Sequence, residues 1–146
     1  MPSEISYGKE SGDETPVPLS HGRILCVEND PAMLRALTLG LEAYHFEVVT
    51  AAHGGDALDR FHSYAGKFDA VLTDNNMPEM NGLKLVKFLR ALGFNGRILI
   101  MSGRLTASDC REYENLGVSG FFQKPCEMSL LAGLLSTSAP SFRSAP

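Results

Sequence analysis

The sequence predicts a single α/β domain built on a five-stranded parallel sheet with helices on both faces. Short β-type runs alternate with helix-type patterns through the middle of the chain, and four of the predicted strands end directly before a polar or charged residue. At 146 residues, of which 44% are hydrophobic, the chain can bury one core and is too short for two ordinary domains.

Five apolar runs bounded by turn residues predict the strands. They lie at Arg23 to Val27, Phe46 to Thr50, Ala70 to Thr73, Arg97 to Met101 and Gly120 to Gln123. Because a helix-type segment separates each pair, we expect right-handed crossovers and a doubly wound sheet. A common order of five strands in such sheets, which we expect here, is 2-1-3-4-5. In that order the switch point, where ligands bind, lies between the first and third strands.

Five segments with helical periodicity predict the helices. They lie near Ala32 to Tyr44, Gly55 to Ala65, Gly82 to Leu92, Ala107 to Leu116 and Glu127 to Leu135. Asp30 can cap the first helix, with Pro31 at its first position, and Glu127 is expected in the first turn of the last helix.

Composition restricts the classes of function. Residues 1–21 and 136–146 are rich in Ser, Pro and other small or polar residues, which predicts flexible tails around a domain of residues 22–135. A net charge of −4 with scattered Lys and Arg argues against nucleic-acid binding. With neither a membrane-spanning run nor a signal peptide, we expect a cytoplasmic protein that does not bind membranes. Its three cysteines lack metal-site spacing and are expected to be reduced.

The candidate site lies at the carboxyl ends of the predicted strands. Asp74 follows a buried strand and opens a turn rich in Asn, Pro and Gly, so its carboxylate is held rigidly yet faces water. Glu28, Ser102 and Lys124 follow three other strands. Ordinary turn chemistry explains each residue taken alone. Their convergence on one edge of a parallel sheet favours a functional site.

Four motifs carry a family resemblance when they are read in order. They are Ile24 to Pro31 (ILCVENDP), Leu72 to Pro78 (LTDNNMP) followed by Met80 and Gly82, Ile98 to Gly103 (ILIMSG), and Gly120 to Pro125 (GFFQKP). Over roughly residues 22–135 the chain resembles the receiver domain of two-component response regulators, of the stand-alone single-domain type. The resemblance implies the flavodoxin-like receiver fold. It also implies a signalling phosphoacceptor, which assists its own metal-dependent phosphorylation and dephosphorylation, and not an enzyme.

The resemblance assigns a phosphoacceptor and a metal site. Asp74 would accept a phosphoryl group from a phosphohistidine on a sensor histidine kinase or a phosphotransfer protein. A Mg²⁺ or Mn²⁺ ion would be held by Glu28, Asn29, Asp74 and the backbone carbonyl of Asn76. Because the carboxylate attacks a dianion, such a cation would neutralise much of the charge at the reacting centre.

Other positions receive supporting roles from the same resemblance. Lys124 would approach one phosphoryl oxygen as a point charge, and Ser102 would donate a hydrogen bond to another. Ser102 and Phe121 would form the switch that reports phosphorylation, although a phenylalanine on a buried strand is equally well explained as core. Asn76 and Arg104 would flank the path of an attacking water and modulate dephosphorylation, which we expect to be slow.

One position departs from the family pattern. Most receivers carry two acidic residues after the first strand, whereas this chain has Glu28 and Asn29. An amide oxygen can bind Mg²⁺ but brings no charge, so we expect weaker metal binding than in a receiver with two acids. Glu28 can reach the ion directly or through water. Asp30 could also compensate, although capping explains that residue adequately.

These observations favour a response regulator without an output domain, because the residues after Leu135 are few and polar. It would signal through a phosphorylation-dependent surface change to an unknown protein partner, as a monomer or a weak phosphorylation-dependent dimer. Asn29 supports an alternative, a binding module that works without phosphorylation. A phosphatase-type hydrolase would need an aspartate where Asn76 stands. A flavodoxin-like cofactor carrier would need a phosphate-binding loop after the first strand.

Overall fold

The computed structural model describes residues 22–124 and 127–136. Its strands are β1 (Arg23–Val27), β2 (Glu47–Ala51), β3 (Ala70–Asp74), β4 (Arg97–Ser102) and β5 (Gly120–Gln123). Each predicted strand is present, and no strand end differs from its predicted position by more than one residue. The tails predicted at 1–21 and 136–146 lie outside the described residues, except for Ser136. Ser136 was predicted to lie in the C-terminal tail, but it is the last residue of the final helix.

The helices follow the strands in strict alternation. They are α1 (Pro31–Ala43), α2 (Gly54–Ser63), α3 (Gly82–Ala91), α4 (Ala107–Asn115) and α5 (Met128–Ser136). The prediction for Glu127 was wrong by one position, since this residue precedes α5 and its carbonyl accepts the Leu131 N–H. No helix in the described part of the chain is long and apolar enough to cross a membrane.

The helices near the candidate site begin with side-chain caps. The Asp30 side chain accepts the Ala32 N–H of α1 at 3.0 Å, and Pro31 is the first helical residue, as predicted. Thr106 and Asp109 form a reciprocal capping box at the start of α4. Each cap satisfies backbone donors that the first helical turn leaves unpaired, and so fixes where the helix begins.

The sheet is parallel throughout, with the order β2-β1-β3-β4-β5, which confirms the predicted fold class. Alternate residues of each strand face opposite cores. Leu25 and Val27 face a core shared with α2, α3 and α4. Ile24 and Cys26 face a second core shared with α1 and α5. The strand register brings the carboxyl ends of β1, β3, β4 and β5 to one edge of this buried sheet.

A single guanidinium fixes the end of α4 that lies farthest from this edge. Arg90, on α3, donates to the carbonyl oxygens of Leu116 at 2.7 Å and Gly117 at 2.9 Å, just beyond α4. It also donates to the carbonyl oxygens of Phe94 at 2.9 Å and Gly96 at 3.0 Å, before β4. Arg90 therefore ties α3, the approach to β4 and the end of α4 together.

Candidate functional site

Three charged side chains meet at the carboxyl edge of the sheet. Glu28 follows β1, Asp74 ends β3 and Lys124 follows β5. The Lys124 Nζ lies 2.9 Å from Glu28 Oε1 and 3.3 Å from Asp74 Oδ2. Both carboxylates are nearly inaccessible, with 1% of Glu28 and 4% of Asp74 exposed. One ammonium group therefore serves two buried carboxylates, which leaves this cluster with a net negative charge.

The pKa values of Asp74 and Lys124 reflect this excess of negative charge. Burial and the charge of Glu28 raise the pKa of Asp74, and Lys124 only partly offsets them. For Lys124, burial favours the neutral amine, but its contacts with Glu28 and Asp74 outweigh burial and raise its pKa. At neutral pH the lysine is charged. Asp74 is the group whose ionisation costs the protein free energy.

Glu28 is held from two sides. Its Oε1 accepts from Lys124, and its Oε2 accepts the Asp30 N–H at 2.9 Å. Because Asp30 in turn caps α1, the carboxylate is fixed relative to both β1 and α1. The side chains of Asn29 and Asp30 are exposed. Glu28 therefore reaches the charged cluster, whereas the next residue, Asn29, faces solvent.

The loop after β3 wraps around the Asp74 carboxylate. The Asn76 N–H donates to Asp74 Oδ1 at 3.3 Å. The Asn75 backbone is fixed on both sides, since its N–H donates to the Met101 carbonyl and its own carbonyl accepts the Gly82 N–H, each at 2.9 Å. Asn76 itself is exposed, whereas the carboxylate that its N–H contacts is buried. The loop thus leaves a solvent-facing mouth at Asn76.

The oxygen donors at this edge suit a hard divalent cation. Two carboxylates share the Lys124 ammonium group, the pKa of one is raised, and carboxylate oxygens are ligands that Mg²⁺ and Mn²⁺ prefer. Among the described residues, no group of three or more His, Cys, Asp or Glu side chains is placed to hold a metal ion. Glu28 and Asp74 are the two acidic residues that contact Lys124 in this cluster.

Ser102 lies at the same edge but is engaged locally. Its hydroxyl donates to the Arg104 carbonyl at 2.7 Å and accepts the Arg104 N–H at 3.0 Å. Its backbone carbonyl accepts the Lys124 N–H at 3.0 Å. The strand end therefore positions the residue, while the hydroxyl closes a tight turn. The Arg104 side chain is exposed beside it.

Phe121 is half-buried at the neighbouring strand. Its ring packs edge to face on Tyr113, with the ring centroids 5.9 Å apart, and contacts the core under α2 to α4. It also lines a groove of about 530 Å³ together with Ser102 and Arg104. Phe121 thus belongs to the core on one side and to an open groove on the other, which accommodates both of the roles considered for it.

Sequence reasoning missed Tyr113 and Asn75. Tyr113, on α4, is fully buried, and its hydroxyl donates a short hydrogen bond to Asn75 Oδ1. The Asn75 amide donates in turn to Asn76 Oδ1 at 3.3 Å. The available signal was a polar aromatic residue on the buried face of a predicted helix, which usually requires a hydrogen-bond partner.

Comparisons with known protein sequences agree with this geometry. A family model described as the response regulator receiver domain matches residues 24–136. The transcriptional regulatory protein FlgR of Helicobacter pylori is 36% identical over 110 residues, which cover 75% of this chain and 27% of FlgR. The transcriptional regulatory protein PrrA of Mycobacterium tuberculosis is 32% identical over 103 residues, covering 70% of this chain and 43% of PrrA. The chain matches less than half the length of either relative.

Solved structures show the same architecture. The chemotaxis protein CheY4 of Vibrio cholerae superposes with a TM-score of 0.72 at 27% identity, covering 77% of this chain and 94% of that one. A receiver domain protein from Methanospirillum hungatei gives a TM-score of 0.76, covering 85% of this chain and 98% of that one. At 23% identity the second likeness bears on the fold alone.

Proposed function

This chain belongs to the response regulator receiver domain family of two-component signalling, and we propose that it accepts a phosphoryl group on Asp74. The observation that carries the proposal is the cluster of Asp74, Glu28 and Lys124. It places a rigid carboxylate 3.3 Å from an ammonium group at the switch point of a doubly wound sheet. Receiver domains interact with histidine kinases or phosphotransfer proteins, and the donor here would be a phosphohistidine on such a partner.

The transfer needs only the phosphohistidine donor and one proton from solvent. A carboxylate oxygen of Asp74 forms a bond to phosphorus as the bond between phosphorus and the donor imidazole nitrogen breaks. The electron pair of that bond stays on the imidazole, which takes up a proton, and Asp74 becomes an acyl phosphate. Burial favours this step because the carboxylate is poorly solvated, and the raised pKa of Asp74 marks that destabilised ground state.

Lys124 neutralises charge during the transfer. Its ammonium group already contacts Asp74 Oδ2 and is held in place by Glu28, so it needs little rearrangement to meet a phosphoryl oxygen. Ser102 would donate a hydrogen bond to a second phosphoryl oxygen. For that, its hydroxyl must leave the Arg104 carbonyl, and this movement would report the phosphorylated state.

Receiver domains of this family bind Mg²⁺ for phosphorylation. In this chain Glu28, Asn29, Asp74 and the backbone carbonyl of Asn76 would hold the ion. Bound there, the cation would offset the charge of the incoming phosphoryl group. The Asn29 side chain is exposed and would have to turn toward the cluster to offer its oxygen. Because that oxygen carries no charge, we expect the affinity to be lower than with two acids.

Release of the Ser102 hydroxyl from its turn would pass the signal to the surface. Phe121 borders both Ser102 and the open groove, so a change in the turn alters the space available to its ring. The face formed by α4, β5 and α5 would then bind an effector protein in one state and not in the other. Arg104, exposed at the edge of the same groove, would shield the phosphoryl group from water.

Intact-protein mass spectrometry after incubation with acetyl phosphate tests the proposal. Wild type, Asp74→Ala and the exposed-residue control Asp59→Ala would each be incubated with and without Mg²⁺. We expect one Mg²⁺-dependent phosphoryl adduct on wild type and on Asp59→Ala, and none on Asp74→Ala. No adduct on wild type, from acetyl phosphate or from phosphohistidine donors, would refute the proposal. That result would favour a binding module that works without phosphorylation, which Asn29 independently supports.

A further inference from the structure

Tyr113 links α4 to the mouth of the Asp74 site through two hydrogen bonds. Its hydroxyl donates to Asn75 Oδ1, and Asn75 Nδ2 donates to Asn76 Oδ1. We propose that Tyr113 is a positioning residue that acts through Asn75 to keep the Asn76 side chain from assisting hydrolysis of a phosphorylated Asp74. The inference rests on the proposed function. It adds that α4, through Tyr113, determines how long the phosphoryl group on Asp74 survives.

The first link fixes the orientation of the Asn75 amide. Because Tyr113 donates to Oδ1, the NH₂ group of Asn75 must face the opposite way, and there it meets Asn76 Oδ1. Burial, together with the charges of Asp109 and Asp74, raises the pKa of Tyr113, so the phenol stays protonated and remains a donor. Both ends of the Asn75 amide are therefore occupied.

The Tyr113 hydroxyl is closely packed between α3 and the loop after β3. At Gly82, the first residue of α3, an added Cβ would lie 2.7 Å from the Tyr113 hydroxyl and 2.7 Å from the Asp74 carbonyl oxygen. A glycine is required there so that the hydroxyl can approach the loop. Tyr113 lies in the last turn of α4, and Arg90 holds the carbonyls of Leu116 and Gly117 just beyond it. A shift of this end of α4 must therefore strain or break the bond to Asn75.

The second link bears on hydrolysis because of where Asn76 lies. Its N–H bonds to the buried Asp74 carboxylate while the residue itself is exposed, so water that approaches a phosphoryl group on Asp74 passes it. In hydrolysis, a water oxygen bonds to phosphorus as the bond from phosphorus to the carboxylate oxygen breaks. The electron pair returns to Asp74, and both water protons leave with dihydrogen phosphate.

An acceptor beside the incoming water would stabilise that transition state. Asn76 Oδ1 is such an acceptor, but it is already bonded to Asn75. Removal of the Tyr113 hydroxyl lets the Asn75 amide turn and releases Asn76 Oδ1 toward the water. From the usual net contribution of one hydrogen bond, Tyr113→Phe should shorten the phosphoryl half-life by about three- to tenfold.

A double-mutant cycle separates this route from a general loosening of the fold. Wild type, Tyr113→Phe, Asn76→Ala and the double variant would be phosphorylated with acetyl phosphate and Mg²⁺ and desalted, and their decay followed by intact mass spectrometry. We expect Tyr113→Phe to decay faster than wild type, and the double variant to decay at the rate of Asn76→Ala. Tyr64→Phe, which removes a phenol hydroxyl outside this site, should decay like wild type.

Two results overturn the inference. One is an unchanged half-life in Tyr113→Phe, and the other is an equal acceleration in the Asn76→Ala background. If wild type forms no adduct, the proposed function fails, and the side-chain amide NMR signals of unphosphorylated protein still test the positioning. Tyr113→Phe should then shift the signals of both Asn75 and Asn76. Unmoved Asn76 signals refute the link.

Discussion

Lys124→Met should destabilise the fold, because it leaves two buried carboxylates without their shared cation. The Lys124 Nζ lies 2.9 Å from one carboxylate oxygen and 3.3 Å from the other, and 24% of the lysine side chain is exposed. Breaking a fully buried ion pair costs about 3–5 kcal/mol. With partial exposure of the lysine, we expect a loss of about 2–3 kcal/mol in the free energy of unfolding at pH 7.

The pH dependence identifies the cause of that loss. Without the ammonium group, burial and Glu28 raise the pKa of Asp74 further, so the native variant binds protons more readily than its unfolded chain. Its stability relative to wild type therefore recovers as the pH falls through the raised pKa of Asp74. Mg²⁺ at millimolar concentration should also restore part of the loss at pH 7, because it neutralises the same carboxylates.

Urea unfolding followed by circular dichroism measures these effects, since the chain contains no tryptophan for a fluorescence probe. Lys87→Met is the matched control. Lys87 pairs with Glu112 at 3.5 Å, but both side chains are about half exposed, so its loss should cost about 0–0.5 kcal/mol. A loss in Lys124→Met no larger than in Lys87→Met, or one that stays constant from pH 7 to pH 4, would show that the two buried carboxylates do not depend on Lys124 for their stability.

Four further substitutions test the roles of Asp74, Asn29, Arg104 and Arg90. Asp74→Asn removes a carboxylate whose pKa burial raises, so it should stabilise the fold by about 1 kcal/mol at pH 7 in urea unfolding. This gain should disappear as the pH falls through the raised pKa of Asp74, and a gain that persists at low pH contradicts the cause. Asn29→Asp should tighten Mg²⁺ binding about tenfold in calorimetry, and an unchanged or weaker affinity would sink the charge argument. Arg104→Ala should shorten the acyl phosphate lifetime, whereas equal half-lives would remove the shielding role. Arg90→Lys loses most of four backbone contacts and should cost about 2–3 kcal/mol in urea unfolding, while the exposed-residue control Arg111→Lys should be neutral.

The strands could be predicted to within one residue because local sequence bounds them, and the one strand start that differs has a local cause. The second strand was expected to begin at Phe46 but begins at Glu47. His45 adopts a left-handed conformation with φ of 72°, and the Phe46 N–H bonds back to the Leu41 carbonyl. Phe46 thus closes the end of α1. The helix end was predicted to within one residue, but because glycine usually occupies such a left-handed position, a histidine there gave no sign that Phe46 precedes the strand.

In the site, the sequence predicts where the backbone places each residue, but it does not predict how each side chain is oriented. Strand ends place Glu28, Asp74 and Lys124 at one edge whatever their rotamers, so the sequence could predict their convergence. The Ser102 hydroxyl could turn toward the site or toward its own chain, and the choice depends on the turn geometry at Arg104. The Tyr113 contact joins residues 38 apart in the chain, so it follows only from the packing of α4 against the loop after β3.

Compared with an acid at position 29, the neutral asparagine has two opposing effects on phosphorylation. Two carboxylates and one ammonium group leave Glu28, Asp74 and Lys124 with a net charge near −1, whereas a second acid after Glu28 would make the edge more negative. The more negative edge would attract Mg²⁺ more strongly and repel an incoming phosphoryl dianion more strongly. Asn29→Asp should therefore increase the dependence of phosphorylation on Mg²⁺. Its adduct should form more slowly than that of wild type at low Mg²⁺ and faster once Mg²⁺ saturates. Slower or faster adduct formation at every Mg²⁺ concentration would show that position 29 acts by something other than charge.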